Sequence, residues 1–250
     1  MDHQSPEFSL DTPESKNSRR KPLAERMRPS GLHEMIGQAH LLGEKCLLPK
    51  LIRENRVGNL ILAGPPGTGK TTLATVIARD SGCELLKVNA VTSNVAELRE
   101  TLKLARYHGS EKCFLFVDEI HRFNKAQQDL LLPDVESGEV RLIGATTHNP
   151  RYYIIDPLLS RSHLFTLKSL EVGEISKALS ICLEDKERGL GGRKCSASEE
   201  VLASLALIAE GDLRRAYNLL ETMVEGMPVG GVLSADEVAE FAQERGVRYD

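Results

Sequence analysis

The 250-residue sequence has no tryptophan, few aromatics of any kind (4 %) and no long apolar run. Its longest uncharged apolar stretch, Val201 to Ala209, falls well short of the ~20 residues that a membrane-spanning helix needs. The first residues carry no apolar segment of the sort that marks a secretory leader. No membrane engagement is expected. The five cysteines, at 46, 83, 113, 182 and 195, are odd in number and show neither CxxC nor zinc-ligand spacing. That argues against a disulfide scaffold and for a reducing, cytoplasmic setting in which most serve as small core residues. Charge of one sign is also lacking. The 32 basic and 36 acidic residues leave a net −4, unlike a strongly basic nucleic-acid module. The balance is uneven, however. Residues 1–168 hold 23 basic and 20 acidic side chains, and residues 169–250 hold 9 and 16. Any contact with DNA should therefore use a local patch, on the first part of the chain.

What remains is a globular composition, 41 % hydrophobic and 27 % charged, long enough for one or two domains with a real core. Residues 1–22 read as a disordered tail, rich in Ser, Pro, Glu and Asn and closing on Arg19-Arg20-Lys21. From Leu23 short apolar runs alternate with helical stretches. Strands are predicted at Leu60–Ala63, Leu85–Val88, Phe114–Val117, Leu142–Ala145 and Leu164–Leu167. A helix is predicted over Thr71–Ser81, closed by Gly82. In a second, Val95, Leu98, Leu102 and Ala105 recur on one face. A third covers Asn124 to Val135, mostly helical up to Pro133. This alternation predicts an α/β domain over 23–168, a five-stranded parallel sheet with helices on both faces. After Ser169 strand signals stop. Helices over Ile175–Arg188, Ser198–Glu210, Leu213–Gly226 and Ser234–Arg245 predict a small all-α domain over 169–250. No internal repeat is visible.

Two motifs carry chemistry. Gly64-Pro65-Pro66-Gly67-Thr68-Gly69-Lys70-Thr71 fits GxxxxGK[ST], with a strand before it and a helix after it. Such glycines let backbone N–H groups turn toward phosphate oxygens, and the helix adds its positive N-terminal end. Lys70 neutralises the β- and γ-phosphates and the Thr71 hydroxyl ligates Mg²⁺. Gly64 through Lys70, with Thr71 and Thr72 opening the helix, are the expected ATP contacts. The second motif, Phe114-Leu115-Phe116-Val117-Asp118-Glu119, puts two acids at the C-terminal end of a strand, the edge where ligands bind in open parallel sheets. Asp118 is expected to serve the Mg²⁺ shell and Glu119 to polarise a water for attack on the γ-phosphate.

Around these motifs run Leu23-Ala24-Glu25-Arg26-Met27-Arg28-Pro29, Ile36 to Gly43, Ala90-Val91-Thr92-Ser93, VDEIHRFNKAQQDLLLP (Val117 to Pro133), LIGATTHNP (Leu142 to Pro150), Leu158-Leu159-Ser160-Arg161 and Gly211-Asp212-Leu213-Arg214-Arg215. On these stretches residues 23–250 resemble AAA+ ATPases. More narrowly they resemble the replication-associated recombination protein A family, whose eukaryotic relative is the Werner helicase-interacting protein. The HRFNKxQQD segment is the most distinctive.

The resemblance implies a P-loop AAA+ domain with a helical lid, ATP and Mg²⁺ as cofactors, and a DNA-dependent ATPase at stalled forks, gaps or DNA ends. It implies single-stranded, forked or gapped DNA as partner, self-association through AAA+ faces, a single-stranded-DNA-binding protein as a further partner, and a nucleoid-associated place if the source is bacterial. It puts Thr147 in the sensor 1 role beside the γ-phosphate, Arg161 in that of an arginine finger reaching a neighbouring subunit's nucleotide, and Arg214 in that of sensor 2. Local physics agrees for Arg214. Behind an Asp212 N-cap, a cation in the first turn opposes the helix dipole, so an anionic partner is a reason for it to be there.

Softer candidates are Asn89 as a restraint on Glu119, His121, Arg122 and Lys125 as links from the ATP site to DNA or a subunit, and Leu23 to Ile36 as a wall for adenine. The remaining histidines (3, 33, 40, 108, 148, 163) have no metal-ligand spacing. The sequence departs from the family at His148, where Glu is usual, and in length. Family members are nearly twice as long, so this chain reads as AAA+ core and lid without the C-terminal domain, as a fragment or a natural truncation. A clamp-loader-like subunit shares the arginines, and an ATP-dependent assembly switch with low turnover is a third reading. The HRFNKxQQD segment favours the first.

Overall fold

The computed structural model describes residues 21–244. Nearly all of the tail predicted over 1–22, with Arg19 and Arg20, lies outside the described residues. Two short helices, α1 (Leu23–Arg26) and α2 (Ala39–Leu42), and the longer α3 (Leu47–Arg53) lead into the first strand.

Five strands form one parallel sheet, as the alternating pattern predicts: β1 (Leu60–Ala63), β2 (Glu84–Asn89), β3 (Cys113–Asp118), β4 (Arg141–Thr146) and β5 (His163–Thr166), in spatial order β2-β3-β4-β1-β5. Residues along a strand alternate between faces, and the core divides accordingly. Leu60, Leu62, Phe114 and Phe116 join one apolar cluster; Ile61, Leu115 and Val117 join the other. On the second face packs α5 (Val95–His108), opened by an Asn94–Glu97 capping box and burying Leu98, Leu102 and Ala105. On the first packs α4 (Lys70–Asp80), through Leu73, Ala74 and Ile77. Strands covered on both sides bury continuous apolar runs, which is why β1, β3 and β4 are the clearest in the sequence.

Departures from the sequence reading are local. The single helix expected over 124–135 is two, α6 (Lys125–Asp129) and α7 (Leu132–Ser137). Pro133 does not end a helix but sits in the first turn of α7, where its missing N–H costs nothing. β4 runs one residue past the predicted Leu142–Ala145 at each end, and Thr147 lies one residue beyond it. β5 is shifted one residue earlier than Leu164–Leu167; as an edge strand it is largely exposed and its apolar signal is weak. Helices α8 (Pro150–Tyr153) and α9 (Asp156–Ser160) connect β4 to β5.

The lid comprises α10 (Val172–Glu184), α11 (Glu199–Ile208), α12 (Leu213–Gly226) and α13 (Ala235–Glu244). Within it β6 (Ser196–Ala197) and β7 (Val232–Leu233) pair in parallel, a contact too short for any periodic signal. Among the described residues no helix is long and apolar enough to cross a membrane.

The chain's early segment does not stay with the sheet. Leu23 and Met27 sit in the lid's apolar core. The Leu23 N–H donates to both Glu221 carboxylate oxygens at 3.0 Å, and Arg26 pairs with Glu221 at 2.9 Å. At the crossing from β5 to the lid, the buried Gln38 side chain exchanges two hydrogen bonds with the Lys168 backbone, at 2.8 and 2.9 Å. A segment distant in sequence thus bridges sheet and lid.

Candidate nucleotide site

The loop between β1 and α4 is built by close approach. Gly64 has φ +150, and a Cβ there would lie 2.4 Å from the Leu167 carbonyl oxygen. Gly67 has φ +67, and a Cβ would lie 1.8 Å from Asp212 Oδ1 of the lid. Neither position admits a side chain without moving backbone. Lys70, the first residue of α4, is buried, and its Nζ donates to the carbonyls of Gly64 (2.8 Å) and Pro65 (2.7 Å). Burial lowers the ammonium's pKa; Glu119 and Asp118 work against that shift, and Arg214 adds to it. The buried Thr68 hydroxyl also donates to the Pro65 carbonyl.

Strand order places the acids beside this loop. Because β4 lies between β3 and β1, the ends of β3 and β4 and the start of the loop share one edge of the sheet. Asp118 ends β3, and Thr71 Oγ1 stands 3.5 Å from its Oδ2. Burial, and then the Glu119 charge, raise the Asp118 carboxyl above its ordinary range. Glu119 adopts φ 53 and ψ 43, a left-handed conformation uncommon for a non-glycine residue. Its Oε2 accepts from the Thr147 hydroxyl at 3.3 Å and lies 3.2 Å from His121 Nδ1. Thr146, the actual end of β4, is buried and turns its hydroxyl to His121.

The lid closes the far side. Asp212 caps α12 through the Arg215 N–H, and the Leu213 N–H donates to the Gly67 carbonyl at 3.3 Å. The two arginines behind the cap diverge. Arg215 pairs with Glu210 at 2.8 Å, whereas Arg214 lines the cavity and has no hydrogen-bond or ion-pair partner among the described residues. Met27, Pro29, Met35 and Ile36 of the early segment, with Leu170 and Tyr217, supply an apolar end to the same cavity of about 420 Å³. Pro66 to Thr72, Asp118, Glu119 and Thr147 supply its polar end. A cavity with an apolar wall and two cations, Lys70 and Arg214, among its polar groups suits a nucleotide.

Two sequence candidates fall outside this arrangement. Asn89 ends β2, exposed, and its Oδ1 accepts from the Val91 N–H at 2.9 Å; the side chain is spent on its own turn and makes no bond to Glu119. Arg161 caps α9 away from the cavity, paired with Glu136 at 2.8 Å. Arg122 and Lys125 are exposed just after Glu119. Sequence reading had overlooked Tyr217, Asn218 and Leu170 as lining residues, and Glu221 as the anchor of the early segment. A lone Glu on the polar side of a helix carries no local signal of its partner.

Residues 60–170 match the family model described as "ATPase family associated with various cellular activities (AAA)". Replication-associated recombination protein A of Escherichia coli (strain K12) is 44 % identical over 236 residues, covering 92 % of this chain and 53 % of that protein. The ATPase WRNIP1 of Dictyostelium discoideum is 41 % identical over 206 residues, covering 82 % of this chain and 23 % of that protein. Among solved structures, the Holliday junction branch migration motor RuvB of Thermotoga maritima superposes with TM-score 0.69 at 25 % identity, over 88 % of this chain and 73 % of that one. The chain spans about half the length of the recombination proteins A that it matches. Loop, acid pair and lid arginine meeting at one cavity agree with those likenesses, and the chain belongs to the AAA ATPases, in the replication-associated recombination protein A family.

Proposed function

We propose that the chain binds ATP with Mg²⁺ in this cavity and hydrolyses it, as a DNA-dependent ATPase in replication-associated recombination that acts at stalled forks, gaps or DNA ends. The observation that carries the reading is the convergence of Lys70, Thr71, Asp118, Glu119, Thr147 and Arg214 on one cavity from four separate segments. The residues fit the cofactors. A buried ammonium and left-handed glycines beside a helix N-terminus make an anion cradle, and a hydroxyl and a carboxylate 3.5 Å apart are hard oxygen donors of the kind Mg²⁺ takes. When bound, the metal ion neutralises charge on the phosphates.

In this reading Lys70 and the loop from Gly64 to Gly69 hold the phosphates, while Thr71 and Asp118 hold the metal ion. Glu119 orients the attacking water and takes its proton, Thr147 steadies Glu119 and meets the γ-phosphate, and Arg214 meets the phosphates from the lid. Arg161, turned away from its own cavity, acts on a neighbouring subunit's nucleotide when AAA+ faces associate. The exposed Arg122 and Lys125, directly after the catalytic acid, are the basic patch for DNA. Support for the biological setting comes from the 44 % identity to a recombination protein. A single-stranded-DNA-binding protein as a partner rests on family resemblance alone.

The test is ATP turnover by the purified chain, alone and with single-stranded, forked or gapped DNA, beside Glu119→Gln. Turnover raised by DNA and absent in Glu119→Gln is expected, with DNA affinity falling steeply as salt rises because phosphate contacts release counterions. Turnover indifferent to every DNA form overturns the DNA-dependent reading. Turnover undiminished in Glu119→Gln overturns the assignment of the base.

A further inference from the structure

Glu119 carries a demanding role on an unusual backbone. Its left-handed conformation costs energy in a non-glycine residue and persists only where surroundings hold it. What holds the carboxylate is asymmetric. Both contacts fall on Oε2, from Thr147 Oγ1 and from His121 Nδ1; Oε1 makes no hydrogen bond among the described residues, and Glu119 lines the cavity.

We infer that His121 is the positioning residue of Glu119, its Nδ1–H donating to Oε2 and leaving Oε1 to the water in the cavity. The inference rests on the reading of Glu119 as the base.

His121 is itself well fixed. It sits in the 3₁₀ turn Ile120–Arg122, anchored by the fully buried Ile120, and its side chain is only 5 % exposed. Its ring lies against His148 (centroids 4.1 Å apart) and meets Tyr153 edge-on at 6.0 Å, while His148 and Tyr153 meet at 4.8 Å. The positioning role fixes the tautomer. Nδ1 lies 3.2 Å from Glu119 Oε2, and a carboxylate only accepts, so a hydrogen bond between them puts the proton on Nδ1. The Thr146 hydroxyl is 3.0 Å from the same nitrogen and accepts from the His148 N–H at 3.1 Å; in this tautomer it turns its own proton to the His148 carbonyl, 3.4 Å away, and in the opposite tautomer it donates to Nδ1 instead. Among the described residues Nε2 has no hydrogen-bond partner. The surroundings favour the neutral ring: burial lowers its pKa, His148, Arg122 and Lys70 add to that, and Glu119 alone opposes it. A neutral donor orients the carboxylate without consuming its charge, as outer-shell partners do for catalytic and metal-bound groups. The sequence reading assigned this restraint to Asn89, whose side chain is engaged elsewhere.

The test has two arms. In the unmodified protein, long-range ¹⁵N–¹H correlation on labelled histidine reads the His121 tautomer; protonation on Nδ1 is expected, moving toward Nε2 in Glu119→Ala. A ring protonated on Nε2 in the parent overturns the inference whatever the turnover. In the second arm, His121→Ala should lower kcat on the order of tenfold to a hundredfold with KM and ATP affinity little changed, in the range of a misplaced general base. His121→Asn, whose amide N–H falls near the lost Nδ1–H, should recover most of that loss, and His121→Gln, which reaches the Nε2 position, should not. A mere packing role predicts Asn and Gln alike, and that result, or an Ala variant at parental kcat, refutes positioning. Glu119→Gln run alongside separates the failures: inactive Glu119→Gln with unimpaired His121→Ala removes only the histidine's role, and active Glu119→Gln removes the base assignment and this inference together.

Discussion

Replacing Arg161 by alanine should abolish the cooperative part of ATP turnover while sparing nucleotide binding by the isolated chain. Arg161 cannot serve its own cavity. It caps α9 with its guanidinium turned to Glu136 at 2.8 Å, the Pro157 carbonyl at 3.0 Å and the Ser160 hydroxyl at 3.2 Å. To reach a neighbouring subunit's phosphate it must leave these partners. The Arg161 and Glu136 side chains are 42 % and 47 % exposed, so water and salt screen the pair. Such a surface ion pair contributes about 0.2–1 kcal/mol, which is at most about a fivefold penalty on departure. An arginine finger in place gives roughly 10³-fold or more in rate. The gain exceeds the penalty by more than two orders of magnitude, so the resting contact stores the arginine without disabling it.

Specific activity should therefore climb as the protein is concentrated or assembled on DNA, and Arg161→Ala should flatten that climb. Glu136→Gln should shift it to lower concentration, by no more than the few-fold that the pair is worth. Mixing excess Glu119→Gln with Arg161→Ala should restore part of the lost rate, since the first carries the arginine and the second the intact site. Specific activity independent of concentration, together with an unimpaired Arg161→Ala, would refute action between subunits and leave Arg161 as a surface arginine held by Glu136.

Three further outcomes follow from the same geometry. Lys70→Ala should weaken ATP binding by about a thousandfold in calorimetry, because a charge about 4 Å from a phosphate at an effective dielectric near 20 is worth about 4 kcal/mol; equal affinity in mutant and parent refutes the phosphate contact. Asp118 has a raised pKa in the fold, so the folded state holds its proton more tightly than the unfolded chain and stability falls as pH rises through that range. Asp118→Asn should accordingly raise the melting temperature of the nucleotide-free protein at neutral pH while removing Mg²⁺-dependent turnover, and an unchanged or lower melting temperature contradicts the burial argument. Glu34 runs the other way: the Ser30 N–H, Arg188 and the Ser30 hydroxyl hold its carboxyl at about 2, against an ordinary 4.5. Its contribution is present above the ordinary value and lost as pH falls toward the lower one, so acid melts should show a loss in that window that Glu34→Gln lacks.

The legibility of this protein follows the range of each interaction. The loop Gly64–Thr71 and the acids after β3 were readable because their chemistry is local: glycine where a side chain cannot fit, an apolar run that must be a covered strand, a carboxylate where that strand emerges. The helical face Leu98, Leu102 and Ala105 was readable for the same reason, a period imposed by one buried side. Pro133 misled because proline both stops helices and starts them, and only the neighbouring turn decides which. The fourth strand, read as Leu142–Ala145, runs one residue further at each end, since strand ends are set by partner strands that the sequence does not show.

The sequence by itself determined the α/β sheet with its helical lid, the glycine loop after β1 and the two acids where β3 ends, because backbone conformation, burial period and local residue pattern are properties of short segments. Only the tertiary structure decided which side chains those acids meet. Strand order, not chain order, sets β4 between β3 and β1 and so puts Thr147 against Glu119 and His148 against His121. Leu23 and Met27 in the lid's apolar core, with Arg26 paired to Glu221 across 195 positions of chain, make the early segment part of the lid and bring Met27 and Pro29 to the cavity. Arg161 and Arg214 look alike in sequence, two arginines near helix ends. Arg214 faces the cavity with no hydrogen-bond or ion-pair partner among the described residues, and Arg161 lies against Glu136 on the outside, because the packing of their helices aims them in different directions.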